Sequence, residues 1–121
     1  CDARTDLFNA DVVRASVGAY FSVPTLECTS QEAIAWCRRH GICTLAATPH
    51  TDRVYTTVDM RRPLAIVVGT EQVGLGAQWL AQADAQVALP MFGQVNSLNV
   101  AVAAALLLYE ALRQRGQALN P

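Results

Sequence analysis

Apolar positions along this chain fall into short runs separated by polar stretches punctuated by Gly and Pro. The longest run, Val100–Tyr109, holds ten consecutive apolar residues inside the stretch Leu89–Gly116. A surface helix places apolar residues on one face, every three to four positions. A helix that is apolar all round in its middle must instead be covered on most sides. With Ser97 and Asn99 in its first turn and Gly116 as its stop, it spans roughly 28 Å at about 1.5 Å per residue. Glu110, Arg113 and Arg115 return polarity to the last turns. Arginines at that end also complement the negative pole of the helix dipole.

The shorter runs predict an alternation of strands and helices. Asp2–Asn9 reads as a loop, after which Asn9 or Asp11 caps a short helix through Ser16. Tyr20–Cys28 is strand-like, with Pro24 demanding an edge or a bulge. Thr29 or Ser30, followed by Glu32, starts a helix over Ser30–Arg39 that carries Ala33, Ile34, Trp36 and Cys37 inward. Ile42–Ala47 is a short buried strand and Thr48–Pro63 a loop. Leu64–Val68 is a continuous apolar strand of the kind buried on both faces of a parallel sheet. Gly69–Gly76 forms a turn, Ala77–Ala83 a helix and Gln86–Leu89 the last strand. This order predicts an α/β fold with a parallel sheet flanked by helices. With no internal repeat or linker, residues 1–121 read as one domain.

Composition narrows the picture. The hydrophobic content of 52% exceeds the roughly 45–50% of ordinary domains, so part of the surface is expected to pack against a second copy. No run of 18 apolar residues is present, which argues against a membrane span, and the polar, acidic start is unlike a signal peptide. Cys1, Cys28, Cys37 and Cys43 contain no CxxC pair, and His40 and His50 add no zinc spacing. Reduced thiols, a cytoplasmic location and no metal are expected. The net charge of −1 suits poorly a protein that grips nucleic acid unaided, for which a basic face is expected.

Two segments could carry chemistry. In Ile66–Gly76, a buried strand ends in Gly69 at the carboxyl edge of a parallel sheet, where such folds bind ligands. Gly69 lets a ligand approach the backbone, or it merely allows a tight turn. Glu71 on that turn can accept hydrogen bonds, or it simply favours the next helix start. The segment lacks the GK[ST] of a phosphate loop and the glycine spacing of a dinucleotide fingerprint. In Leu89–Asn99, an irregular loop held by Pro90, Gly93 and Asn96 needs partners for its backbone groups. An adenine ring is one candidate. Ser97 and Asn99 can also serve as helix caps.

Taken together, GTEQVGLG and LPMFGQVNSLNVAVAAALLLYEA resemble motifs 2 and 3 of the SpoU (TrmH-like) branch of the SPOUT RNA methyltransferases. NADVVRASVGAYFSVP, Asn9–Pro24, is similar to the segment that follows the family's motif 1. The resemblance implies a C-terminal deep trefoil knot, a homodimer, and S-adenosylmethionine bound within the knot. It also implies methylation of a ribose 2′-oxygen in tRNA or rRNA. The family's cofactor contacts fall on Gly69, Leu89, Met91 and Leu98, with Ala46 to Thr48 as a further wall. Glu71, Ser97 and Asn99 match its polar active-site positions. Arg14, Arg113 and Arg115 are candidate RNA contacts, though each could equally be a structural or solvated residue. The family's motif 1, a pattern like NxGxxxR with a catalytic arginine, has no match here. The expectation is that the first strand and helix, and any RNA-recognition domain, lie upstream of Cys1. Two alternatives stay open: a non-catalytic cofactor-binding or dimerising module of the same fold, and an unknotted flavodoxin-like nucleotide binder.

Overall fold

The computed structural model describes residues 1–2, 5–70, 73–94 and 97–116. The chain divides into two compact units, Cys1–Ala33 and Ile34–Pro121.

In the first unit, Asn9 caps helix α1, Ala10–Ala15, by accepting the Asp11 amide at 2.9 Å. No residue of α1 is buried. Tyr20–Cys28, expected as a strand, is not one: Ala19–Phe21 forms a 3₁₀ turn and no ladder follows. The amides of Ser22 and Val23 both donate to the Ala19 carbonyl, at 3.0 and 2.9 Å. Those local bonds compete with a ladder, and Pro24 has no donor to offer one. Tyr20 instead packs edge-on against Phe8 and Phe21, with ring centres 6.0 and 5.5 Å away. Helix α2, Ser30–Arg39, begins with a reciprocal box in which Thr29 N–H donates to the Glu32 carboxylate at 2.8 Å and Glu32 N–H to Thr29 Oγ1 at 3.1 Å. Asp2 braces the same point, its carboxylate accepting from the hydroxyl and amide of Ser30. Those two bonds, the hydroxyl first, hold its carboxyl below the usual range.

The second unit is built on a three-stranded parallel sheet in the order β2–β1–β3, with β1 Cys43–Ala47, β2 Leu64–Val67 and β3 Ala85–Val87. Leu45 of the central strand pairs in register with Ile66 and Ala85. Asp84 fixes the β1–β3 register: its carboxylate accepts from the Thr44 amide (2.8 Å) and hydroxyl (2.7 Å), and its own amide donates to Thr44 Oγ1 (3.0 Å). These bonds keep the Asp84 carboxyl low. β2 was expected to be buried on both faces, yet all four of its residues are half-buried, because within this sheet it is an edge strand.

Ile34 and Cys37 of α2 are buried, but Trp36 is not; it is 53% exposed and lies against His40, ring centres 4.5 Å apart. Two residues of helix turn the chain by about 200°, so Trp36 faces away from Ile34. Helices α3, Ala77–Gln82, and α4, Val100–Gln114, complete the unit.

The core is Leu45, Val58, Met60, Val87, Leu107 and Ala111. Helix α4 starts three residues later than Ser97, with Asn99 as its N-cap and Asn99 Oδ1 accepting the Ala101 amide at 2.9 Å. It buries one stripe, Leu107, Glu110 and Ala111. Leu108 and Tyr109 are 55% and 59% exposed, and Val102 and Leu106 are also open. Among the described residues, the helix is therefore not covered on most sides.

Its C-terminal end is fastened to the segment before β2. Gln114 donates to the Val58 carbonyl (2.9 Å) and accepts the Met60 amide (2.8 Å). Arg115 donates to the carbonyls of Met60 and Arg62 at 3.2 and 2.9 Å. Among the described residues, no helix is long and apolar enough to cross a membrane, and no cluster of His, Cys, Asp or Glu could hold a metal ion.

Candidate functional site

Parallel strands deliver their carboxyl ends to one edge of the sheet, and the chain leaves each strand there by a turn. β1 runs into Thr48–His50, β2 into Val68–Thr70 and β3 into Leu89–Met91. A cavity of about 360 Å³ opens at this edge, bounded by all three exits. Its remaining walls come from Val73, Gly74 and Leu75 of the turn after β2, from Leu80 of α3, and from Ser97, Leu98, Val100 and Ala103 around the start of α4. The volume falls at the lower end of the roughly 300–1,000 Å³ of small-molecule sites, and its position is where open α/β sheets bind ligands.

Local bonds shape each wall. Thr48 is buried; its amide donates to the Val87 carbonyl at 2.9 Å and its hydroxyl accepts the His50 amide at 3.3 Å. This couples the β1 exit to β3. Thr70 and Gly74 exchange two backbone bonds, Thr70 N–H to Gly74 O at 3.2 Å and Gly74 N–H to Thr70 O at 2.8 Å. That closure brings backbone against Gly69: a Cβ there would lie 2.1 Å from the Gly74 carbonyl carbon and 2.3 Å from the Leu75 nitrogen. Gly69 is thus required by the chain's own turn. Gly74 is needed for another reason, a φ of 71°.

The described wall is nearly neutral. It carries aliphatic side chains, main chain and the hydroxyls of Thr48, Thr70 and Ser97, and its one titratable side chain is His50. Of the residues singled out from the sequence, Gly69, Leu89, Met91, Leu98, Thr48 and Ser97 all line this cavity. Ala46 does not; it is fully buried in β1, one residue before the wall. Asn99 lies beside Leu98 and caps α4. Glu71 falls outside the described residues.

None of the three arginines is among the residues that line the cavity. Arg113 grips the buried Glu110 with two bonds of 2.8 Å, and Arg115 is bonded to carbonyls, both at the end of α4 away from the cavity. With 15 residues in the helix, that end is about 22 Å from its start. Arg14 is in the first unit, paired with Asp11 at 3.3 Å. Sequence reasoning missed His50, Thr70 and Leu75. His50 was weighed only as a zinc ligand, yet it follows the β1 exit by the argument that marked Thr48.

Residues 1–109 match the SpoU rRNA Methylase family. The tRNA (guanosine(18)-2'-O)-methyltransferase of Escherichia coli (strain K12) is 42% identical over 91 residues, 74% of this chain and 40% of that relative. The 23S rRNA (uridine(2479)-2'-O)-methyltransferase of Streptomyces viridochromogenes is 35% identical over 116 residues, 91% of this chain and 40% of the relative. A crystal structure described as an RNA 2'-O ribose methyltransferase superposes with a TM-score of 0.85 at 48% identity, over 93% of this chain and 44% of the other. The SpoU methyltransferase AviRb from Streptomyces viridochromogenes, in complex with the cofactor AdoMet, gives a TM-score of 0.84 at 33% identity, over 94% and 47%. The chain thus spans about 40% of the length of these curated relatives. On the match over residues 1–109 and this identity, the chain belongs to the SpoU rRNA methylase family.

Proposed function

We propose that this chain is the cofactor-binding part of an S-adenosylmethionine-dependent RNA 2′-O-ribose methyltransferase acting on tRNA or rRNA. The observation that carries the reading is the cavity at the carboxyl edge, where the two motif-bearing segments meet. Its residues fit the cofactor. Leu75, Leu89, Met91 and Leu98 offer apolar surface to an adenosine, and the strand exits bring main-chain polar groups to the same wall. S-adenosylmethionine, when bound, supplies an already activated sulfonium methyl group. The chain's task is then to hold and orient it. A wall with no carboxylate among its described residues does so without neutralising the sulfonium. Ser97, on the wall, and Glu71 and Asn99 are proposed to position the ribose hydroxyl or the arginine that activates it.

In this reading the segment from Leu89 into α4 threads a trefoil knot, and the exposed face of α4 (Val102, Leu106, Leu108 and Tyr109) seats a second copy in a homodimer. Exposed apolar surface on that helix supports the dimer. For the RNA, Arg14, Arg113 and Arg115 are the proposed phosphate contacts, and the protein works in the cytoplasm. The pattern NxGxxxR is absent from these 121 residues, so in this reading methyl transfer needs an arginine that they do not themselves provide in that pattern. Otherwise the chain is a non-catalytic cofactor-binding module.

Titration calorimetry with S-adenosylmethionine and its demethylated product tests the cofactor; no heat with either refutes it. A methyl-transfer assay on tRNA and rRNA tests the rest. The 121 residues alone are expected to bind cofactor without transferring methyl, and to transfer it when joined to a segment carrying the arginine pattern. Transfer by the 121 residues alone overturns the arginine argument, and none by the joined form favours the module.

A further inference from the structure

We propose that Cys1 and Cys28 form a thiol–disulfide exchange site, closed by a small-molecule disulfide and reopened by a thiol. All four cysteines are free thiols; Cys1 is exposed, Cys28 is half-buried and Cys37 is buried. The sulfurs of Cys1 and Cys28 approach to 3.7 Å although the residues are 27 positions apart. Both belong to the first unit. A disulfide needs about 2.05 Å between sulfurs, so the pair must close by about 1.7 Å.

The main chain already holds the two segments side by side. The Asp2 amide donates to the Cys28 carbonyl at 2.9 Å. The Asp2 carboxylate accepts from the amide and hydroxyl of Ser30. The residue after Cys1 is thus bonded to Cys28 itself and to the residue two places beyond it. Closure is left to rotation of two short side chains, one of them exposed. The Thr29–Glu32 box that starts α2 begins at the very next residue after Cys28. A Cys1–Cys28 bond therefore clamps Asp2 where it braces the start of α2.

Oxidised glutathione is a fitting partner, and the electrons balance. The exposed Cys1 sulfur, as thiolate, attacks one glutathione sulfur. The glutathione S–S bond breaks, one glutathione leaves as a thiol, and Cys1 holds the other in a mixed disulfide. The neighbouring Cys28 sulfur then displaces it, forming the Cys1–Cys28 bond and releasing the second glutathione. Two electrons pass from the cysteine pair to the glutathione disulfide, and the two cysteine protons end on the two glutathione thiols.

The test is incubation of the folded chain with excess oxidised glutathione at about pH 8, an acid quench, alkylation of the remaining thiols in denaturant and peptide mass mapping. The expected product has lost two hydrogen atoms and carries a linked Cys1–Cys28 peptide. It keeps Cys37 and Cys43 open to alkylation and is restored by dithiothreitol. Cys28→Ser should stop at a glutathione adduct on Cys1, which the wild type does not retain. In hydrogen exchange, amides of residues 29–33 should slow about threefold or more in the oxidised form. A lasting Cys1 adduct in the wild type overturns the proposal. So does a chain left unreacted, or one in which links to Cys37 or Cys43 outnumber the Cys1–Cys28 link. These outcomes are read on the wild type, so they stand even if Cys28→Ser fails to fold. Equal exchange in the two forms overturns the clamp on α2.

Discussion

Replacing Gly69 with alanine tests whether the turn after β2 builds the pocket. The added methyl would sit 2.1 Å from the Gly74 carbonyl carbon, against the 3.4 Å at which ordinary contact begins. The backbone of Gly74 and Leu75 must therefore retreat by at least about 1.3 Å, the difference between those two distances. Nothing in that movement can be absorbed by a flexible side chain, because the atoms involved are main chain. The two Thr70–Gly74 bonds open, each worth about 1 kcal/mol net. Displaced packing of the half-buried Leu75 adds to this. The total is about 2–4 kcal/mol, near the upper range for single substitutions.

At a urea slope of about 2 kcal/mol per M this lowers the unfolding midpoint by about 1–2 M. Because the retreating residues form one wall of the cavity, cofactor affinity should fall about tenfold or more under conditions where circular dichroism still shows a folded chain. Gly74→Ala is the control. A Cβ there meets nothing within 4 Å, so only the left-handed backbone is strained, at about 1–2 kcal/mol. If Gly69→Ala bound S-adenosylmethionine within twofold of wild type and lost no more stability than Gly74→Ala, the steric account of the turn would be wrong.

Three further outcomes are expected. Glu110 is 7% exposed on its side chain, and the bonds from Arg113 and then Gln114 pull its pKa from 4.5 down to about 2. A depressed carboxylate contributes stability above its unfolded value that is lost as pH falls through the folded one. Glu110→Gln should thus cost about 1–2 kcal/mol at pH 7, discounted for the exposed Arg113, and about nothing at pH 2, as read by urea melts. Gln114→Ala strips partners from the Val58 carbonyl and the Met60 amide; a loss of about 2–3 kcal/mol is expected, and an unchanged midpoint would refute the fastening of α4. If the proposed homodimer forms through the open face of α4, Leu106→Glu with Tyr109→Glu should convert it to a folded monomer in sedimentation equilibrium, and a dimer unchanged by both charges would refute that face as the interface.

What the sequence made legible was local. Asn9 before an apolar turn and Thr29 three residues before Glu32 are caps whose chemistry lies within four residues, and both formed as read. The strands β1 and β2 begin and end within one residue of the apolar runs that encode them. Tyr20–Cys28 failed because its β-prone composition is blind to the Ala19 carbonyl that captures two of its amides. Trp36 was placed inward by hydrophobicity alone, although helical geometry already set it opposite Ile34. The cavity was legible in part: Gly69, Leu89, Met91 and Leu98 were marked through resemblance, and strand order explains why they converge. His50 needed the same argument carried two residues further along the β1 exit.

Helix α4 shows why an apolar run is ambiguous even when its secondary structure is plain. Its first turn contributes Val100 and Ala103 to the cavity wall, and its last turns are fastened by Gln114 and Arg115 to the segment before β2. Between them only Leu107 and Ala111 enter the core. A helix with those duties alone would serve with polar residues at 102, 106 and 109, since these positions stay about half exposed and none of them enters the core. Their apolar character is therefore unexplained by the intrachain core, which gives the open face of α4 a separate physical cause from the buried stripe. The same reasoning ties pocket to stability: one helix closes the cavity at its start and is anchored at its end, so loosening the Glu110–Gln114 fastening should be felt at Val100 and Ala103 as weaker cofactor binding, even though those groups lie about 15 Å further along the helix.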